Sequence, residues 1–206
     1  MRSSPLLPLA TLVIPAAPAL ADITPIPAFV GELREPVFHP TFLITNRIPF
    51  FGGAADMVSY NGTSTVVHLI SGSTFAGDPV TPRTGTHILG VTQGPMILEF
   101  HTPLRRFGAY FNNNSGVSNA SAEFFAGASS LGTRTVVTPA PGNVWTWNGW
   151  ESDTPITRMV ITGQGTLNGF LWTDDLEGST IPAPEALTLP MTGMGLTAAR
   201  RSRAKR

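Results

Sequence analysis

Between Asp22 and Pro182 apolar residues come in short runs, and no long stretch repeats them at helical spacing. An amphipathic helix needs apolar positions at i, i+3, i+4 and i+7 over a dozen residues, whereas a half-buried strand needs only strict alternation over four to eight. The segments "STVVHLI", "TRTVVT" and "RMVITG" alternate; in the last, Met159 and Ile161 oppose Val160 and Thr162. This pattern predicts strands at Val37–Thr45, Met57–Tyr60, Thr63–Ile70, His87–Val91, Pro95–His101, Arg106–Phe111, Ser121–Ala126, Thr133–Thr138, Val144–Trp147, Ile156–Thr162 and Gly169–Thr173. "FNNNSGVSNAS" (Phe111–Ser121) and "TPAPGN" (Thr138–Asn143) read as loops, because Asn and Gly tolerate positive φ and Pro ends a ladder. The Thr102-Pro103 step reads as a turn, and the stretch after Trp147 as a loop. About ten strands with no helix between them predict an all-β protein, an antiparallel β-sandwich of jelly-roll type.

Charge excludes one class of partner. Between Asp22 and Pro182 there are seven Arg, no Lys and 12 acidic residues, so that body carries about −5 although the whole chain is neutral. Nucleic-acid binding needs clustered cations, and such a body has none to offer. With no Cys, disulfides and Cys-based metal sites are excluded.

The two ends read as addresses. At the start Arg2 precedes an uncharged run, Pro5 to Leu20, that closes on Ala19-Leu20-Ala21. Small-x-small before Asp22 is the pattern signal peptidase accepts, so residues 1–21 are expected to be a signal peptide and residues 22–178 the sandwich domain. Four prolines within the run argue against a buried helix there. At the other end, residues 179–206 combine a proline-rich hinge, an uncharged stretch (Ala186–Ala199) and five basic residues within Arg200–Arg206. Fourteen residues are too few for a full span, which needs about 20. The basic cluster would remain cytoplasmic during export, giving a transient membrane contact.

That C-terminal order, with Pro182, Pro184 and Glu185 ahead of the apolar run and Arg200, Arg201 and Arg203 behind it, resembles a PEP-CTERM sorting signal; Ala186 stands where the second motif proline would be. The resemblance implies processing by an exosortase-type enzyme after signal peptidase, and delivery to the cell surface or extracellular matrix of a Gram-negative bacterium. The stretches "PMILEFHTPLRRFGAYF" and "WNGWESDTPITRMVITGQGTLNGFLWTDDLE" look like the β-sandwich ectodomains found ahead of such signals, and are similar to lectin-like jelly rolls.

Chemistry leaves few marks. The four His form no metal-ligand spacing, and His68 and His101 read as packed or surface imidazoles within strands. "GQGTLNG" (Gly163–Gly169) joins two strands, so it reads as a hairpin turn and not a phosphate loop. Asp174, Asp175 and Glu177 close the last strand; alternation places Asp175 and Glu177 on one face and Asp174 on the other. Clustered carboxylates repel unless a cation or hydrogen-bond donors offset them, so a structural Ca²⁺ is one expectation and a solvated acidic turn the other. Trp145, Trp147 and Trp150 fall within six residues beside Asn148, the residue types that stack on sugar rings and bond their hydroxyls; packing in a core is the competing use of the same indoles.

The expectation is an exported, non-enzymatic protein, structural or adhesive, with weak glycan contact and exopolysaccharide as a partner. Two alternatives stand beside it. One is a polysaccharide-active hydrolase or lyase using a pair among Glu99, Glu123, Glu151 and Asp175. The other is a periplasmic binding module whose basic tail is disordered coil.

Overall fold

The computed structural model describes residues 22–37, 43–60, 67–71, 74–75, 78–79, 81–91, 94–113, 119–138, 144–163 and 171–182. The signal-peptide residues 1–21, the sorting-motif residues Pro184, Glu185, Arg200, Arg201 and Arg203, and most of the loop and hairpin at 114–118 and 164–170 lie outside these.

Among the described residues fourteen strands run in chain order: β1 (Ile23–Pro25), β2 (Leu33–Glu35), β3 (Leu43–Thr45), β4 (Arg47–Phe50), β5 (Ala55–Val58), β6 (Val67–Ser71), β7 (Thr74–Phe75), β8 (Asp78–Pro79), β9 (His87–Val91), β10 (Met96–Asn113), β11 (Ala120–Ala126), β12 (Ser129–Val136), β13 (Thr146–Thr162) and β14 (Leu171–Ser179). Every pairing is antiparallel, in the order β12-β11-β13-β10-β14-β9-β6-β3, with β5 on β10, β4 on β5, β1 on β13 and β2 on β14. The fold is the antiparallel β-sandwich of jelly-roll type that the alternation predicts.

Two long strands build both layers. The first half of β10 pairs with β5 and with the second half of β13, which pairs in turn with β11. The second half of β10 pairs with the first half of β13 and with β14. Between the halves the ladder jumps from Glu99↔Arg158 to Leu104↔Ile156 and then to Arg106↔Glu151. Pro103 and Pro155 lie within these irregular steps, where a missing N–H breaks no ladder bond. The expected turn at Thr102-Pro103 is therefore a bend inside one strand, and the expected loop at Trp147–Asp153 is strand as well.

The core lies where the two halves face each other. Phe100, Phe107, Phe111, Phe124 and Trp150 are buried there, with ring centroids 5.3 Å apart for Phe124–Trp150 and for Phe100–Phe107. Strict alternation along β10 turns Phe107, Ala109 and Phe111 inward and leaves Arg106, Gly108, Tyr110 and Asn112 for the opposite face. That opposite face carries the site.

Candidate functional site

Register decides what meets on this face. Tyr110 of β10 lies opposite Trp147 of β13 and Asp174 of β14; Gly108 lies opposite Gly149 and Glu177; Arg106 lies opposite Glu151 and Ser179. The glycine pair makes room for the Trp147 indole. A Cβ on Gly108 would overlap Trp147 Cζ2, and one on Gly149 would come within 2.7 Å of Nε1. With no side chain at either position, the indole rests directly on the backbone of the sheet. Its Nε1 donates to Ile26 O at 3.2 Å, and Tyr110 and Phe29 meet it edge-on at 5.3 and 5.8 Å. Residues 26–31 cross the sheet here, held by Ile26 N–H on Gly149 O at one end and Gly31 N–H on Glu177 at the other.

Charge rims these aromatics. The Arg83 guanidinium lies 3.5 Å from the Tyr110 ring centroid and is ion-paired with Asp175, whose second oxygen accepts from Thr84 Oγ1 at 2.5 Å. Arg34 Nε donates to Glu177 Oε1 at 2.8 Å, while Gly31 N–H donates to Oε2 at 2.9 Å. A cleft of about 280 Å³ opens between Phe29, Arg34, Arg83, Tyr110, Trp147, Asp175 and Glu177.

The expected alternation of the three acids does not hold. Gly108 pairs with Glu177 and Tyr110 with Asp174, so β14 places two residues, Asp175 and Leu176, opposite Ala109 alone. Asp175 adopts φ 47°, a left-handed conformation that Asp tolerates through its short polar side chain. This bulge puts all three acids on the cleft side. Asp174 is fully buried; its oxygens accept backbone N–H bonds from Arg83 (2.8 Å), Thr84 (3.1 Å) and Asp175 (2.8 Å). Burial pushes its carboxyl up from 3.8 to about 6 against the pull of these donors, and the neighbouring charge of Asp175 adds to the rise.

Hydrogen-bond donors thus offset the repulsion among the acids. The residues present do not fit a calcium site: guanidinium groups stand against Asp175 and Glu177, and Asp174 faces amide hydrogens. Among the described residues no group of three or more His, Asp or Glu is placed to hold a metal ion.

Of the three tryptophans only Trp147 faces the cleft. Trp150 is strand, not loop, and only 2% exposed, packed on Phe124 and Phe111, so it cannot stack on a ligand. Trp145 precedes β13, donates to Thr81 O at 2.9 Å and packs with Ile88 and Trp172. Asn148 lines a separate opening of about 260 Å³ with Pro25, Ile26, Trp147 and Trp150; it is buried, and its amide accepts from Val137 N–H and donates to the carbonyls of Val137 and Thr146. Pro182 lies at another opening, beside Asp22, Glu151 and Asp153.

The acids weighed for catalysis are dispersed among other partners. Glu99 pairs with Arg47, Glu123 accepts from Ser130 Oγ, and Asp175 pairs with Arg83. Sequence reasoning missed Phe29, Arg34 and Arg83, which reach the site from distant segments. Tyr110 was legible: alternation in "RFGAYFN" turns it away from Phe107 and Phe111.

No family model matches this chain, and no curated protein matches it. Among solved structures it is similar to a mutant of a family 29 carbohydrate-binding module complexed with mannohexaose, at 12% identity and a TM-score of 0.33, covering 78% of this chain and 94% of that one. A second mutant of the same module gives the same identity and TM-score over 78% and 95%.

Proposed function

We propose that this chain is an exported, non-enzymatic β-sandwich protein of the cell surface or extracellular matrix, structural or adhesive, that makes weak glycan contacts in the Trp147 cleft. The observation that carries the glycan reading is the Trp147 indole bedded on Gly108 and Gly149, flanked by Tyr110 and rimmed by alternating donors and acceptors. A sugar ring presents C–H faces that suit an aromatic surface and hydroxyls that both donate and accept. The non-enzymatic reading draws support from the cleft acids, since Asp175 and Glu177 are each engaged by an arginine and a second donor. Export and sorting rest on the sequence of the two ends, with signal peptidase and an exosortase-type enzyme as processing partners.

Titration with a panel of glycan oligomers, followed by tryptophan fluorescence, tests the binding. Weak saturable binding is expected, lost in Trp147→Ala and reduced at least tenfold in Tyr110→Ala, with circular dichroism checking that both variants fold. Binding that survives both changes refutes the site, and absence of binding to every oligomer refutes the function. For sorting, fractionation with and without Pro182–Arg206 is the measurement; an unchanged distribution removes the surface assignment.

A further inference from the structure

We infer that the Trp147 cleft selects neutral glycans and discriminates against acidic ones; this rests on the glycan reading above and names its ligand class. The rim holds two guanidinium groups and two carboxylates, matched one to one as Arg83–Asp175 and Arg34–Glu177. Glu177 is 7% exposed and cannot turn to bulk water if its arginine is taken away, while Asp175 is half-buried and keeps Thr84 Oγ1 as a second donor. Stripping the partner from a buried charge costs far more than the pair contributes.

A uronate carboxylate entering this cleft would need one of those arginines. It would sit beside Asp175 or Glu177, whose charge already matches that arginine, and close to Asp174, a third carboxyl within the same bulge. Like charges brought together at short range in a partly desolvated cleft repel strongly. A neutral sugar meets no such repulsion. Its hydroxyls accept from guanidinium N–H groups and donate to carboxylate oxygens while both ion pairs stay intact. The aromatic floor adds no charge preference, because the Tyr110 ring is already covered by Arg83 and the Trp147 indole contributes area. Discrimination against acids is therefore set by the two carboxylates.

The full chain is titrated with neutral hexose oligomers (cellohexaose, maltohexaose, mannohexaose) and with uronate oligomers (galacturonate, alginate) at low salt. Wild type is expected to bind at least one neutral oligomer tenfold or more tightly than either uronate, with neutral binding insensitive to salt, since no net charge is exchanged. Asp175→Asn keeps a residue that tolerates the left-handed backbone and leaves Arg83 without its counter-charge. It is expected to narrow the neutral-to-uronate ratio by about tenfold, through a gain for uronates that fades as salt rises. Uronates bound as tightly as neutral oligomers by wild type, or an unchanged ratio in a folded Asp175→Asn, overturns this selectivity and leaves glycan binding standing. Absence of binding to either class overturns both.

Discussion

The Trp147 indole occupies the space that a side chain at Gly108 would fill, on the strand directly beside it. A glycine in the middle of an 18-residue strand loses packing area and chain entropy, so its presence here is explained by the ring that lies on it.

Gly108→Ala is accordingly expected to lift the indole from the sheet. Inserting a methyl group against a packed ring costs about 1–3 kcal/mol. Denaturant unfolding reads that loss, and glycan titration reads a parallel loss of affinity. A variant with unchanged stability and unchanged binding would show that the ring does not depend on the bare backbone.

Trp150 and Asn148 predict the opposite signature from Trp147. Trp150→Ala empties the core between Phe111 and Phe124 and is expected to destabilise by about 3–5 kcal/mol. Asn148→Ala leaves the N–H and C=O of Val137 without their partner and is expected to cost about 2–3 kcal/mol. Neither lines the cleft between Tyr110, Trp147 and the two arginines, so glycan affinity of the remaining folded protein is expected to hold. Titration of folded Asn148→Ala decides the point, and a tenfold loss there would return Asn148 to the binding surface.

The pH dependence has a defined sign. The Asp174 carboxyl sits at about 6 in the folded protein against an ordinary 3.8, so the folded state holds this proton more tightly. Its contribution is fully present below pH 3.8 and is lost as pH rises through about 6, a change on the order of 3 kcal/mol. Asp174→Asn is expected to flatten stability between pH 4 and pH 7, read by urea unfolding at each pH; parallel profiles for the two proteins would contradict it. Glu32 acts in another window. Burial pushes its carboxyl up, but hydrogen bonds led by Thr180 N–H and joined by Ser179 and Thr180 hydroxyls outweigh burial and hold it at about 2. That contribution is present above pH 4.5 and is lost as pH falls through about 2.

Metal removal is expected to do nothing. With Arg83 and Arg34 already facing the acids of β14, the melting temperature should not move on adding chelator. A fall that Asp175→Ala abolishes would instead place a cation at the strand end.

Breaking the Arg34–Glu177 pair from the arginine side tests what the buried anion needs. Arg34 is 61% exposed in its side chain and Glu177 only 9%. Arg34→Met leaves Glu177 with the Gly31 N–H alone and is expected to destabilise by about 1–3 kcal/mol, whereas an exposed pair would contribute less than 1. Glu177→Gln in the same background should recover most of the loss; a double variant no more stable than Arg34→Met would assign the cost to lost arginine packing.

By itself the sequence determined the fold class, because alternation and turn chemistry are local: a period of two over five residues writes a strand wherever it occurs. Which face of a strand is apolar is equally local: alternation along β10 and β11 puts Phe107, Phe111 and Phe124 on the buried side. That Thr102-Pro103 and Trp147–Asp153 continue strands emerges from the packed sheet, since a proline or glycine that would end an isolated strand is tolerated where a neighbouring strand bulges or a ring needs the space. It alone decided the fate of the three tryptophans, which look alike in sequence and are separated by register into core, cleft and side cluster. And it alone supplied the partners of the acids: Arg83 and Arg34 reach Asp175 and Glu177 across 92 and 143 residues of chain, and no pattern of local spacing encodes a contact of that length.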